Sequence, residues 1–170
     1  MRIRDYIRLE VQTHPQESLF RIVGKILLVP GFNAVYLIRR AQLTKSSLLW
    51  WYYTRKLAMR YGIHIGRNTV IGPGLVMPHP SSIIIGEGVV IGENCTVYQQ
   101  TTIGLKEHAQ TEYPSIGNDV VIYAGAKIIG AVRIGNHVSV AANAVVTKDC
   151  PDYCVARGVP AQCVKKKSCI

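Results

Sequence analysis

Few residues in this chain could do chemistry. Its five histidines fall at 14, 64, 79, 108 and 137, and its five cysteines at 95, 150, 154, 163 and 169. No two histidines stand about five residues apart, as a three-imidazole zinc site of the carbonic-anhydrase-like type needs, and no CxxC pair occurs. No metal is therefore expected. His79 is set apart by its neighbours, because Pro78 and Pro80 hold it on both sides in MPHPSSIII. An imidazole, whose ordinary pKa is about 6.5, can take up a proton near neutral pH and so act as a general base. Alone, a histidine in a proline-flanked loop reads as a surface residue, so the framework around it has to decide.

That framework is a rhythm. Aliphatic or Met residues fall at 65, 71 and 77, at 85, 91, 97 and 103, and at 116, 122, 128, 134, 140 and 146. The step within each group is six. Glycine directly follows seven of these anchors, and a small or branched residue stands four places after eleven of them, Ser81, Cys95 and Thr101 included. On an α-helix, six steps of about 100° would send successive anchors in three directions. In extended chain six is an even step, so anchors and their +4 partners share one side. No strand runs for eighty residues, and the recurring glycine marks where the chain bends. The solution is a short strand, a turn and repetition: a solenoid with three segments to a coil and parallel pairing between coils.

The rhythm breaks twice. Two extra residues stand between Met77 and Ile85, and a polar stretch, GLKEHAQTEYPS, separates Ile103 from Ile116. Insertions leave a solenoid as loops and carry binding surfaces, and His79 lies in the first of them. Before Ile65 the texture is helical. SLFRIVGKILLV has apolar residues three and four apart and stops at Pro30-Gly31, a second amphipathic stretch runs from Phe32 to Leu43, and SSLLWWYYTRKLAMRYG ends at Gly62. The division is thus a helical region, 1–62, and a repeat domain with a tail, 63–170.

The net charge of +10 is uneven: residues 1–62 hold eleven Lys/Arg against three Asp/Glu, residues 63–170 nine against seven. Solvated helix faces are one reading of this, and contact with an anionic polymer or membrane surface is another. Trp50-Trp51-Tyr52-Tyr53 fits a membrane-interface belt or, more plainly, packing against the next domain. No run is long and apolar enough to span a bilayer, nothing reads as a secretory signal, and the odd cysteine count fits reduced thiols in a cytoplasmic protein. The basic residues form no recognised nucleic-acid module.

With IGPGLVMPHPSSIIIGEG, VVTKDCPDYCVARGVPAQCVKKK and the lead-in PGFNAVYLIRRAQL in view, the chain resembles the hexapeptide-repeat acyltransferases, on their serine acetyltransferase-like branch. The resemblance implies a mainly β fold, a left-handed parallel β-helix, usually trimeric, preceded by a small α-helical region. It implies an active site between neighbouring subunits and direct transfer of acetyl from acetyl-CoA to a hydroxyl. His79 is then the general base. Ala124, Ala142, Thr147, Lys148 and Lys165, with Arg157 as a looser match, are the implied coenzyme contacts. Small residues let the pantetheine arm near the backbone, and lysine offers a point charge to phosphate. Lys166 and Lys167 read as a solvated tail.

The departures from that branch bear on the acceptor. Free-serine enzymes of the branch carry an Asp before the catalytic histidine, where this chain has Pro78. They carry Arg-His before the proline of the extended loop, where it has Glu112-Tyr113, and an orienting Asp upstream, where it has His64. The expectation is therefore a sugar hydroxyl, as in the short enzymes that tailor capsule and exopolysaccharide, with serine as the alternative. Tyr113 is a candidate for acceptor contact. Glu87 is a candidate to hold His79 and equally a turn residue, and His108 reads as exposed.

Overall fold

The computed structural model describes residues 19–107 and 112–166, so His14, His108, Lys167 and Cys169 lie outside the described residues. Three helices come first: α1 (Leu19–Leu28), α2 (Pro30–Leu43) and α3 (Ser47–Tyr61). Pro30 does more than end α1. It opens α2 two residues before the expected start, with Val29 extended as its N-cap. Proline suits that place, because the N–H it lacks would have had no partner within the helix. The Ser46 hydroxyl accepts the Leu49 N–H at the start of α3, and Gly62, at φ 63° in the left-handed region, closes it.

From His64 onward the chain coils through three sheets of short strands. The first sheet stacks His64–Ile65, Ile84–Ile85, Thr102–Gly104, Lys127–Ile129 and Val145–Val146 in parallel. The second stacks Val70–Ile71, Val90–Ile91, Ser115–Ile116 and Arg133–Ile134. The third stacks Thr96–Val97, Val121–Ile122, Ser139–Val140 and Cys154–Arg157, with Val76 bridged to Thr96 at its start. In every sheet an anchor faces the anchor one coil away: Ile85 faces Ile103, Ile91 faces Ile116 and Val97 faces Ile122. The period of six is thus one side of a three-sided prism, and the anchors are its interior. The fold is the left-handed parallel β-helix.

The structure corrects or extends the sequence reading at three points. Ser81, four places after Met77, is exposed, and Ile83 is buried in its stead. The two extra residues lie between Met77 and the next turn, so the interior position is set by counting back two from Ile85. Second, the segment past the last anchor adds one parallel strand and then turns back on itself. Cys154–Arg157 pairs antiparallel with Gln162–Lys165, a hairpin around Gly158-Val159-Pro160-Ala161 that covers the final edge. Third, not all thiols are free: Cys150 is joined to Cys163, their Cα atoms 5.8 Å apart, because that hairpin folds Cys163 back beside the last interior position of the second sheet. Cys95 and Cys154 stay free and buried.

The first coil poses a separate problem. Within the stack the carbonyl of each interior residue accepts from the coil before it: Gly66 N–H donates to Ile85, Gly72 to Ile91 and Gly86 to Ile103. Ile71 and Met77 belong to the first coil and have no earlier one. Helix α2 supplies the missing partners. Arg39, 1% exposed, donates from Nη1 to the Ile71 carbonyl at 2.6 Å and from Nη2 to the Gly72 carbonyl at 2.5 Å. Gln42 positions it by accepting from Nη1 at 2.8 Å and donates to the Thr69 carbonyl at 3.4 Å. Gly31 lies so close to the Met77 carbonyl that a Cβ would collide with it. The helical region therefore finishes the hydrogen bonding of the prism.

Leaving a buried carbonyl unsatisfied costs about 1–3 kcal/mol. Arg39→Met strands two, so a loss of about 2–6 kcal/mol in unfolding free energy is expected, read as a lower urea midpoint. The exposed Lys45→Met should stay within about 0.5 kcal/mol of wild type. Equal midpoints for the two variants would remove the capping role.

Candidate active site

The corner between the third and first sheets is built from repeated four-residue turns. Tyr123-Ala124-Gly125-Ala126 closes with the Ala126 N–H donating to the Tyr123 carbonyl at 3.2 Å. Ala141-Ala142-Asn143-Ala144 closes the same way at 3.1 Å. Gly125 and Asn143 occupy the third place with φ of 73° and 57°, the type II pattern, which glycine and asparagine tolerate. Successive turns are laced together: Gln100 N–H donates to the Ser81 carbonyl, Gly125 to Gln99 and Asn143 to Ala124. One line of residues thus climbs the corner, Ser81, Gln99, Ala124 and Ala142, ending at Gly158, whose carbonyl accepts from Val145, and His79 stands two residues before its start, in the insertion.

That corner brings together three of the expected site residues that are far apart in sequence, Ala124 and Ala142 on the line and His79 in the insertion that enters it. Among the described residues, the N–H groups of Ala124 and Ala142 reach no backbone carbonyl. In this turn type the second residue's N–H points away from the stack. The corner therefore offers outward donors beside side chains no larger than methyl.

The neighbouring line carries aromatic rings that the sequence reading did not single out. Tyr98 follows the anchor Val97, and Tyr123 follows Ile122. Their rings stack at 5.4 Å and 15°, and Tyr98 lies 6.3 Å from the His79 ring at 49°. Gln99 was missed as well, and its Oε1 is buried without a donor among the described residues. The signal that finds all three is the coil register: adding one or two to each third-sheet anchor lists what stands next to His79.

Other expected residues lie elsewhere. Glu87 is on the corner between the first and second sheets, where its carboxylate accepts from Asn68 Nδ2 at 2.9 Å. It does not hold His79 within one chain, because the strand Ile84–Ile85 separates them. The Tyr113 ring lies against Gly88 on that same corner, in the space a Cβ at Gly88 would need. Thr147 and Lys148 follow Val146 at that end of the first sheet, both exposed. Arg157 and Lys165 lie at opposite ends of the closing hairpin, facing Gln162 and Cys154. Lys166 is not a solvated tail: its Nζ donates to the His137 carbonyl at 2.6 Å. His64 is exposed on the outer face of the first sheet. A groove of about 450 Å³ beside Arg133, Asp149 and Cys150 on the second sheet includes none of the expected site residues.

Of the free cysteines, burial pushes the Cys95 thiol up to about 11, a lift partly offset by the Val120 backbone hydrogen bond and reinforced by Asp119. It stays protonated at neutral pH and is no nucleophile. Among the described residues no group of three His, Cys, Asp or Glu could hold a metal.

A parallel β-helix with a histidine in its first insertion and outward amides on the same corner is the framework of a group-transfer enzyme. The family described as bacterial transferase hexapeptide (six repeats) matches residues 113–148. A serine acetyltransferase of Helicobacter pylori is 35% identical over 146 residues, covering 83% of this chain and 85% of its own length. One from Synechococcus elongatus is 29% identical over 82% of this chain and 59% of its own. The crystal structure of Neisseria gonorrhoeae serine acetyltransferase superposes with a TM-score of 0.84 at 25% identity, covering 96% of this chain and 65% of that one. A serine acetyltransferase solved in complex with CoA gives 0.81 at 28%, covering 95% and 69%. The chain belongs to the hexapeptide-repeat transferase family, among the relatives of the serine acetyltransferases. It spans 59% to 85% of the length of these curated relatives.

If the corner receives an extended chain along its amides, filling it will exclude that chain. Ala142→Leu, at an exposed position, should weaken CoA binding at least tenfold by calorimetry while leaving the thermal midpoint within a few degrees. Unaltered affinity would take the coenzyme off this corner.

Proposed function

We propose that this chain is an acetyl-CoA-dependent O-acetyltransferase. The observation that carries the reading is one corner of the prism that holds both the His79 insertion and the free backbone donors at Ala124 and Ala142. A pantetheine arm laid along those amides would bring its thioester toward the imidazole. Support also comes from the relative solved with CoA. Lys148, Lys165 and Arg157, all exposed toward the C-terminal end, are the cations for the nucleotide phosphates, and Thr147 adds a hydroxyl. His79 takes the proton as the acceptor oxygen attacks the thioester carbonyl. The C–S bond breaks, and the imidazolium returns the proton to the departing thiolate. Buried Gln99 Oε1 lacks a donor, so a bound group that donates there recovers about 1–3 kcal/mol otherwise lost.

The corner lies open on a single chain, with His79 and Ala142 exposed. A homotrimer with sites between copies would cover it. In that arrangement Glu87 and Tyr113, which share the next corner, would reach His79 only from a neighbouring copy.

Serine is the acceptor that the relatives' names support, ahead of the sugar read from the departures. One observation keeps the sugar as a second reading. Pro78 stands where a carboxylate would meet an ammonium, and the sequence holds no Asp or Glu from residue 18 to residue 86. An amino acid's charged group therefore finds no counter-charge on the coil that bears the base.

His79→Ala should lower the acetyl-transfer rate at least a hundredfold with CoA affinity retained, in line with the usual contribution of a general base. Full turnover in that variant excludes His79 from the mechanism. Wild type supplied with acetyl-CoA and either serine or a panel of oligosaccharides decides the acceptor, and robust turnover of serine alone ends the sugar reading.

A further inference from the structure

Helix α3 has two apolar faces, and only one is accounted for. Trp50, Thr54, Leu57 and Tyr61 follow helical spacing on the inner side, where Leu57 is wholly buried. Directly opposite run Leu48, Tyr52, Arg55 and Met59, flanked by Trp51 and Lys56. Leu48 is 75% exposed, Met59 76% and Trp51 53%, and no described residue covers them. At the end of α1, Leu27 and Leu28 are exposed as well. Asn33 ties that end to α3, donating to the Ile26 carbonyl and accepting from the Tyr61 hydroxyl.

We infer that this outer face of α3 docks on an anionic lipid bilayer. The charge pattern selects that occupant. Lys45, Arg55, Lys56, Arg60 and Arg67 are exposed on and beside the helix, and no Asp or Glu occurs between residues 18 and 86 to balance them. A second copy seated on the face would set these cations against their own kind. A nucleic acid would satisfy the charge but give Leu48 and Met59 no apolar phase. A bilayer with acidic headgroups offers both, an anionic surface and a hydrocarbon boundary a few ångströms deeper. The side chains are disposed for that boundary: the Arg55 guanidinium lies 5.2 Å over the Trp51 ring and Lys56 Nζ 4.6 Å over the Tyr52 ring. Cation and ring thus sit at one level, with the aliphatic residues free to go deeper. Among the described residues no helix is long and apolar enough to cross a membrane, so the contact is in the plane of the surface.

Both tryptophans of the chain, Trp50 and Trp51, are on α3, so intrinsic fluorescence reports this helix alone. The purified full-length protein is mixed with vesicles of phosphatidylglycerol and phosphatidylethanolamine, or of phosphatidylcholine, at low and high salt. The expected result is at least tenfold tighter association with the anionic vesicles, a blue shift of the emission, and loss of most binding in high salt. Arg55→Glu with Lys56→Glu should abolish both binding and shift while CoA affinity and the thermal midpoint stay as in wild type. Leu48→Ser with Met59→Ser should weaken binding without changing the mass of the assembly in solution. Absence of anionic-vesicle binding overturns the inference, as does binding indifferent to headgroup charge. It is equally overturned if the serine variant lowers the assembly's mass, since a second copy then covers the face, or if single-stranded nucleic acid binds as tightly and with the same dependence on Arg55 and Lys56.

Discussion

Everything in this fold follows from coils pairing in register. A strand of two residues buries one side chain and cannot hold itself, so each coil exists only because another lies against it. In-register pairing puts Ile85 on Ile103 and Ile103 on Ile128, and any slip by one residue would turn the interior outward. Registration also lines up the corners, where the polar residues make a second ladder. The Asn118 side chain accepts the Glu93 N–H, Asn136 the Asn118 N–H and Asp152 the Asn136 N–H, each at 2.8–2.9 Å. The stack is held inside by contact and along this edge by hydrogen bonds.

A stack has ends, and the two ends here are solved differently. At the first coil the chain's own helix brings a buried guanidinium to carbonyls that would otherwise face apolar surroundings. At the last coil the hairpin reverses direction, which stops further parallel addition, and its tip bonds to Val145 through Gly158 and Ala161. Because the helical region completes the prism, α2 cannot drift from the coils. Its neighbour α3 is held in turn: Arg40 donates to the Tyr53 hydroxyl at 2.8 and 3.0 Å, and that hydrogen bond is the main reason the Arg40 guanidinium holds its proton more tightly than usual. The exposed face of α3 thus has a fixed orientation relative to the His79 corner.

How much of this was legible in the sequence depends on which distance carried the information. The interior was legible because its signal is local, a side chain every six residues, and Gly62 ended its helix for reasons visible in one turn. The corner line was only half legible. Ala124 and Ala142 came from the motif resemblance, whereas Tyr98, Gln99 and Tyr123 required knowing which coil lies over which, and the insertions change that offset. Ser81 was misread for the same cause, since counting forward from Met77 crosses the extra residues and counting back from Ile85 does not. Arg39 could not be read at all. Nothing in PGFNAVYLIRRAQL distinguishes it from Arg40, yet one is buried against carbonyls and the other bonds a tyrosine. The Cys150–Cys163 pairing depended on a hairpin about which the six-residue repeat, ending at Val146, says nothing.

The acceptor question turns on the same geometry. A serine acceptor brings an ammonium and a carboxylate, and both must be met by opposite charge when water is displaced. The coil that carries His79 begins and ends without a carboxylate, and Glu87, the next acidic residue, faces Asn68 on the adjacent corner. For serine to be bound, the ammonium's partner has to come from beyond the first coil, from another part of the chain or from another copy. A sugar carries no such requirement. Neutral hydroxyls need acceptors and a flat apolar face, and the His79 corner already has Gln99 and the Tyr98 ring within it. The two acceptors therefore differ in what they demand: serine needs a counter-charge from beyond the first coil, whereas a sugar needs only enclosure.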